Sequence, residues 1–179
     1  MTDIFQNEYT ITSGRLVKGM TGFVIILFLI IGILVPYSVY YEEGDIVLAS
    51  FMTVLLISIF LPILIGAWIY SPKKYIVSEK GIRIIRPVGP IIIPIEQINS
   101  VEEKDINEFK TIRLWANGGL FSLTGAYYNK TDGKFWMYTK NNNYVMIQAS
   151  KKYVLSPDEK ERFIIEVKNI ISRYGKKKK

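Results

Sequence analysis

MTGFVIILFLIIGILVPYSVYY (residues 20–41) and IVLASFMTVLLISIFLPILIGAWIY (46–70) contain no charged side chain, and only EEGD (42–45) separates them. Crossing about 30 Å of hydrocarbon takes about 20 apolar residues at ~1.5 Å of rise each. The two stretches supply 22 and 25. A buried helix of a soluble core would keep a polar stripe, and neither stretch has one. A cleaved signal peptide would have an apolar region of about 7–15 residues ending in small groups. The first stretch is longer, and it ends in Pro36, Tyr37, Tyr40 and Tyr41, which suit an aromatic belt at an interface. The sequence therefore predicts a membrane helical hairpin.

Flanking charge orients it. Arg15 and Lys18 precede the first span, Lys73 and Lys74 follow the second, and the intervening loop has no base. The positive-inside rule then puts both termini in the cytoplasm of a multi-pass protein of the cell (cytoplasmic) membrane. Four regions are expected: an N-terminal cytoplasmic segment (1–19), the hairpin (20–70), a folded domain (71–175) and a basic tail (176–179). The piece from 71 onward is long enough for one small domain that folds by itself. Of the 23 Lys and Arg, 21 lie in that piece, against 11 of the 16 Asp and Glu, so it is strongly basic.

Cysteine and histidine are absent from all 179 residues. Disulfides, thiolate nucleophiles, the usual zinc sites and Ser-His triads are thereby excluded. The spans contain no Asp, Glu, Lys or Arg for a proton relay or a charged transport path. Their serines and threonines are expected to bond their own backbone or to join helices.

After Tyr70 the pattern becomes strand-like. KYIVS, EKG and IRIIR read as a β-hairpin, and IIIPIEQI as a strand bent or placed at an edge by Pro94. SVEEKDINEFKTIRLW fits either a short helix or a strand. GKFWMYT, NNN and YVMIQAS read as a second hairpin, followed by the strand KKYVLS. Then Ser156 is placed to cap a helix over 157–173, with Pro157 in its first turn, Glu159 at capping-box spacing and Gly175 at its end. Phe163, Ile164, Val167, Ile170, Ile171 and Tyr174 make one apolar face.

The blocks IPIEQI (93–98), GGLFSLTGAYY (118–128), FWMYT (135–139), VMIQA (145–149) and YVLSPDEKERFIIEV (153–167) resemble the bacterial pleckstrin-homology-like (bacterial PH) family, here anchored by an N-terminal two-helix hairpin. The resemblance covers about 74–171. It implies a mainly-β PH-like domain: two antiparallel sheets, as a barrel or sandwich, capped by a C-terminal helix. That family brings no catalytic residues.

Gly118, Gly119 and Gly125 match neither a P-loop nor G-x-G-x-x-G, and read as a bend between sheets. Trp115, Phe121, Tyr127, Tyr128, Phe135, Trp136 and Tyr138, interleaved with Lys130, Lys134 and Lys140, have the composition of a nucleic-acid platform. On alternating strands half of them face the core, so no nucleic acid is expected and the patch is read first as structural, a protein or lipid contact surface on its exposed half being the alternative. Candidate contacts to anionic lipid are Lys73 and Lys74 beside the second span and the tail Lys176, Lys177, Lys178 and Lys179. No enzyme, cofactor or metal site is expected. The function expected is a membrane-anchored binding or scaffold protein, its partners being the lipid bilayer and a protein or a second copy of the chain. The alternative is a small integral component of a transport or envelope-stress system, acting through its spans.

Overall fold

The computed structural model describes residues 6–106 and 111–177. Two long helices stand at one end: α1 (Arg15–Glu43) and α2 (Ile46–Tyr70). The turn between them is tighter than the four residues expected. Gly44 takes a left-handed conformation (φ 65°) that closes α1. Asp45 then caps α2, its carboxylate accepting from the N–H groups of Val47 (2.8 Å) and Leu48 (3.0 Å). Phe28 and Phe60 stack across the pair at 4.0 Å between ring centres. Ser38, Ser50, Thr53 and Ser58 each donate to a carbonyl three or four residues back, the local bonding expected of them. Both helices are long and apolar enough to cross a membrane, and the most apolar stretch of each has no residue buried inside the protein.

The remainder is two sheets and a helix. β1 (Gln6–Thr10), β2 (Lys74–Ser78), β3 (Gly81–Ile85) and β4 (Ile91–Pro94) form the first sheet in that order, all antiparallel. The β2–β3 hairpin and the edge position of the strand ending at Pro94 are as the sequence predicts. Gly81 turns at φ 131°, where a Cβ would lie 2.1 Å from the Ile93 carbonyl oxygen, so only glycine fits.

β5 (Ser100–Glu103), β6 (Ile112–Gly118), β7 (Leu123–Asn129), β8 (Gly133–Thr139), β9 (Val145–Gln148) and β10 (Lys152–Leu155) form the second sheet. Its order is β5-β9-β10-β8-β7-β6. This corrects two expectations. β8 and β9 are not a hairpin, because β10 lies between them, parallel to β8 and antiparallel to β9. Gly118, Gly119 and Gly125 do not bend the chain between sheets: Gly118 ends β6, Gly125 lies within β7, and Gly119 is in the loop that joins these two strands of one sheet. The two sheets keep open edges and do not close into a barrel. The ambiguous stretch resolves into β5 and the start of β6, and residues 107–110 lie outside the described residues.

α3 (Lys160–Lys177) packs on the first sheet and on β5. It starts later than expected and continues through Gly175. Ser156 does not cap it. That residue is fully buried, and its hydroxyl oxygen accepts from the Lys140 N–H at 3.0 Å. Its own N–H donates to the Tyr75 hydroxyl, which donates in turn to the Tyr138 carbonyl. Burial pushes the Tyr75 pKa up, so this phenol stays protonated and the chain of bonds stays complete.

Two buried clusters result. One lies between the first sheet, α3 and one face of the second sheet, around Tyr9, Tyr75, Ile84, Ile147 and Phe163. The other lies on the opposite face, around Phe135, Met137, Met146 and Val154, with Val17 of α1 inserted. Alternate residues of β9 and β10 feed the two sides, Val145, Ile147 and Leu155 one and Met146 and Val154 the other. The N-terminal segment, expected as a region of its own, therefore joins the domain twice, through Tyr9 and Val17. Tyr9 is 1% exposed and meets Phe163 edge-on at 5.0 Å.

Candidate functional site

The junction between helices and sheets carries the two concave surfaces of interest. The β6–β7 loop is fastened to both helices. The Thr21 hydroxyl of α1 accepts from the Phe121 N–H at 2.8 Å and donates to the Gly119 carbonyl at 3.3 Å. Ser71, just after α2, donates its hydroxyl to the Phe121 carbonyl at 3.2 Å. Phe121 is held at φ 62°, an uncommon conformation for an aromatic residue, and these bonds compensate the strain. Gly119 lies against Met20 and Leu16, where there is little space for a side chain. On the other side of the junction, the Val88 N–H donates to the Ile69 carbonyl of α2 at 3.1 Å.

Beside this loop is a cleft of about 370 Å³, lined by Ser13, Val17, Lys18, Thr21, Trp68, Ser71, Lys73, Phe121 and Lys140. Lys18 comes from the start of α1, Lys73 from the exit of α2 and Lys140 from the end of β8. The Lys140 backbone is pinned on both sides, its carbonyl accepting from the Gly14 N–H at 2.7 Å and its N–H donating to Ser156. Burial, and secondly the ammonium of Lys73, push the Lys140 pKa down. The Lys73 ammonium stands 4.6 Å from the centre of the Trp68 ring.

The second surface is a groove of about 840 Å³ between the last turns of α2 and the face of β6–β7–β8. Tyr70, Leu114, Trp115, Trp136 and Tyr138 are among its lining residues. Arg86 sits between Tyr70 and Tyr138, 5.7 Å from each ring centre, with its Nε donating to the Gly89 carbonyl. Trp115 is 85% exposed, unusual for the largest apolar side chain. Gly125 on β7 (φ 130°) lets β6 close over it, since a Cβ there would meet the Trp115 carbonyl oxygen at 2.3 Å.

Of the lysines expected from the sequence to touch anionic lipid, the structure brings Lys73 alone to the cleft. Lys74 is occupied in an ion pair with Glu8 across β1–β2, at 2.7 Å. Lys176 and Lys177 end α3, and Lys178 and Lys179 lie outside the described residues. α3 begins beside Thr10, at the helix end of the first sheet, and reaches Glu96 with Tyr174, at the far end. Its last turn thus points away from the helices. Lys18 reads in the sequence only as a topology charge and Lys140 only as part of the aromatic-basic patch, and neither is expected at a lipid contact. Nothing in the linear spacing joins positions 18, 73 and 140.

A hairpin of apolar helices joined to two sheets and a C-terminal helix defines a helix-anchored PH-like module. The comparison with known families agrees: the description "Bacterial PH domain" matches residues 73–171, and the chain belongs to that family. No curated protein and no solved structure matches the chain. β1 and both helices lie outside the matched residues.

Proposed function

We propose that this protein is a membrane-anchored, non-enzymatic binding module. The hairpin spans the cytoplasmic membrane with both termini inside, and the PH-like domain stands at the inner face to recruit a protein partner. The aromatic groove carries the reading. Leu114 and Trp115 are exposed on the edge strand β6, beside a wall of Trp136 and Tyr138, at the level where α2 ends. Tyrosine and tryptophan at a concave surface are the usual anchors of a protein contact. The bulge between Arg113 and Trp115 disturbs the edge against indiscriminate strand pairing, so side chains rather than the backbone set the contact.

A photo-crosslinking residue at Trp115 of the full chain, in growing cells, should give one discrete protein adduct. The same residue at Ile165, equally apolar and 60% exposed on α3, should give none. Adducts of lipid alone from Trp115, or the same pattern from both positions, would sink the reading. Topology has its own check. A cysteine at Gly44 should react with an impermeant reagent added outside intact cells, and one at Lys130 should not.

A further inference from the structure

We infer that the cleft between the helices and the domain binds a phosphate group, presented by the headgroup of an anionic phospholipid, through Lys18, Lys73 and Lys140. Three ammonium groups from three separate parts of the chain line one concave surface. Among the described residues none of the three has a carboxylate partner, whereas Lys74, Lys104 and Lys160 pair with Glu8, Asp132 and Glu103. Among the described residues no acidic side chain lines the cleft. An ammonium offers three donors and no acceptor, so three of them at one concave surface are matched by an anion with several acceptor oxygens.

The neighbours specify which anion. Trp68 and Phe121 form an apolar wall beside the ammoniums, and the helices that carry Lys18 and Trp68 continue as two apolar rods. A ligand with a charged head and a hydrocarbon tail meets both surfaces at once. Basic pockets between membrane helices on the cytoplasmic side hold such headgroups in general. The site differs from a diffuse basic surface because the Lys140 backbone is fixed to Gly14 and Ser156, and the Phe121 loop is fixed to Thr21 and Ser71. The inference rests on the hairpin lying in a bilayer, which extraction of membranes at alkaline pH tests independently.

The test uses the full chain in neutral detergent, with bound lipid read by native mass spectrometry. Phosphatidylglycerol should be retained at one molecule per chain about tenfold or more tightly than phosphatidylcholine. The triple variant Lys18→Gln, Lys73→Gln, Lys140→Gln should lose that preference, with an unchanged or raised melting temperature because three like charges are removed. The pair Lys176→Gln, Lys177→Gln should keep it. Inorganic phosphate alone should protect Lys140 from an amine-acylating reagent, but at higher concentration than the lipid. Equal retention of the two lipids, or a preference that survives in the triple variant, overturns the inference. Phosphate protection without lipid preference overturns the headgroup as its source. Should the triple variant fail to fold, Lys140→Gln alone must weaken retention and the triple arginine variant must keep it.

Discussion

β1 and α3 come from opposite ends of the chain and meet in one cluster, where the Tyr9 and Phe163 rings touch edge-on. Their local sequences could hardly differ more. α3 repeats its apolar residues at helical spacing, so the buried face is written in the segment itself. β1 reads QNEYT, with one inward side chain in five. Its hydrogen bonds go to β2, more than sixty residues away. The pair teaches that a segment can be central to a core without any periodicity, provided one large side chain lands on a prepared surface.

Removing α3 by ending the chain before Ser156 should have the largest effect. Phe163 and Val167 would leave the core with it, each worth roughly 1.5–3 kcal/mol against a typical total of 5–15 kcal/mol. Circular dichroism of the purified protein should show the strand signal lost, and a cooperative melt would show α3 to be peripheral.

Next come Tyr9→Ala and Phe163→Ala, each expected to cost about 3–5 kcal/mol. The double variant should cost less than the sum by about 0.5–1.5 kcal/mol if the ring contact couples them. Strict additivity in denaturant melts would mean that β1 and α3 are held independently. The isolated piece 71–179, which lacks β1, should melt well below the full domain. Adding a peptide of residues 1–14 should raise its melting temperature.

Asp158 offers a third, smaller handle, because it ties the β1–α1 link to the start of α3. Its carboxylate accepts from the Thr12 N–H (2.9 Å), the Thr12 and Thr10 hydroxyls and Asn141. Partial burial alone would raise its pKa, but these hydrogen bonds together outweigh it and hold the group below the usual aspartate range. A folded-state pKa below the unfolded one stabilises above the unfolded value, about pH 4, and the gain is lost as pH falls through the folded value. Asp158→Asn should therefore destabilise at neutral pH by about 1.5–3 kcal/mol and flatten the acid limb of the stability curve. An acid limb unchanged by the substitution would assign it to other groups. The smallest effect belongs to the exposed Glu8–Lys74 pair, where Glu8→Gln should change stability by about 0–1 kcal/mol.

How much of this was legible follows the range of the interactions. The β2–β3 hairpin, the edge strand ending at Pro94 and the apolar face of α3 were readable because each rests on contacts between near neighbours. The supposed β8–β9 hairpin looked equally good, since both strands have the right composition and three asparagines join them. β10 displaced that pairing because it bonds to both, and composition does not encode which strand wins a neighbour. Ser156 was misassigned for a related reason. Its hydroxyl had a choice between a local helix terminus and the distant Lys140 N–H, and burial decided for the latter.

The sequence by itself determined the helical hairpin, its tight acidic turn, the strand-rich character of the remainder and the amphipathic last helix. Each follows from local hydrophobic period and length, which the packing of this chain leaves in place. Only the tertiary structure decided that the first strand completes the first sheet, that β10 separates β8 from β9, and that Lys18, Lys73 and Lys140 face one cleft. Those outcomes depend on which surfaces meet once the chain has closed, and backbone pairing and charge convergence over such separations leave no mark in neighbouring residues.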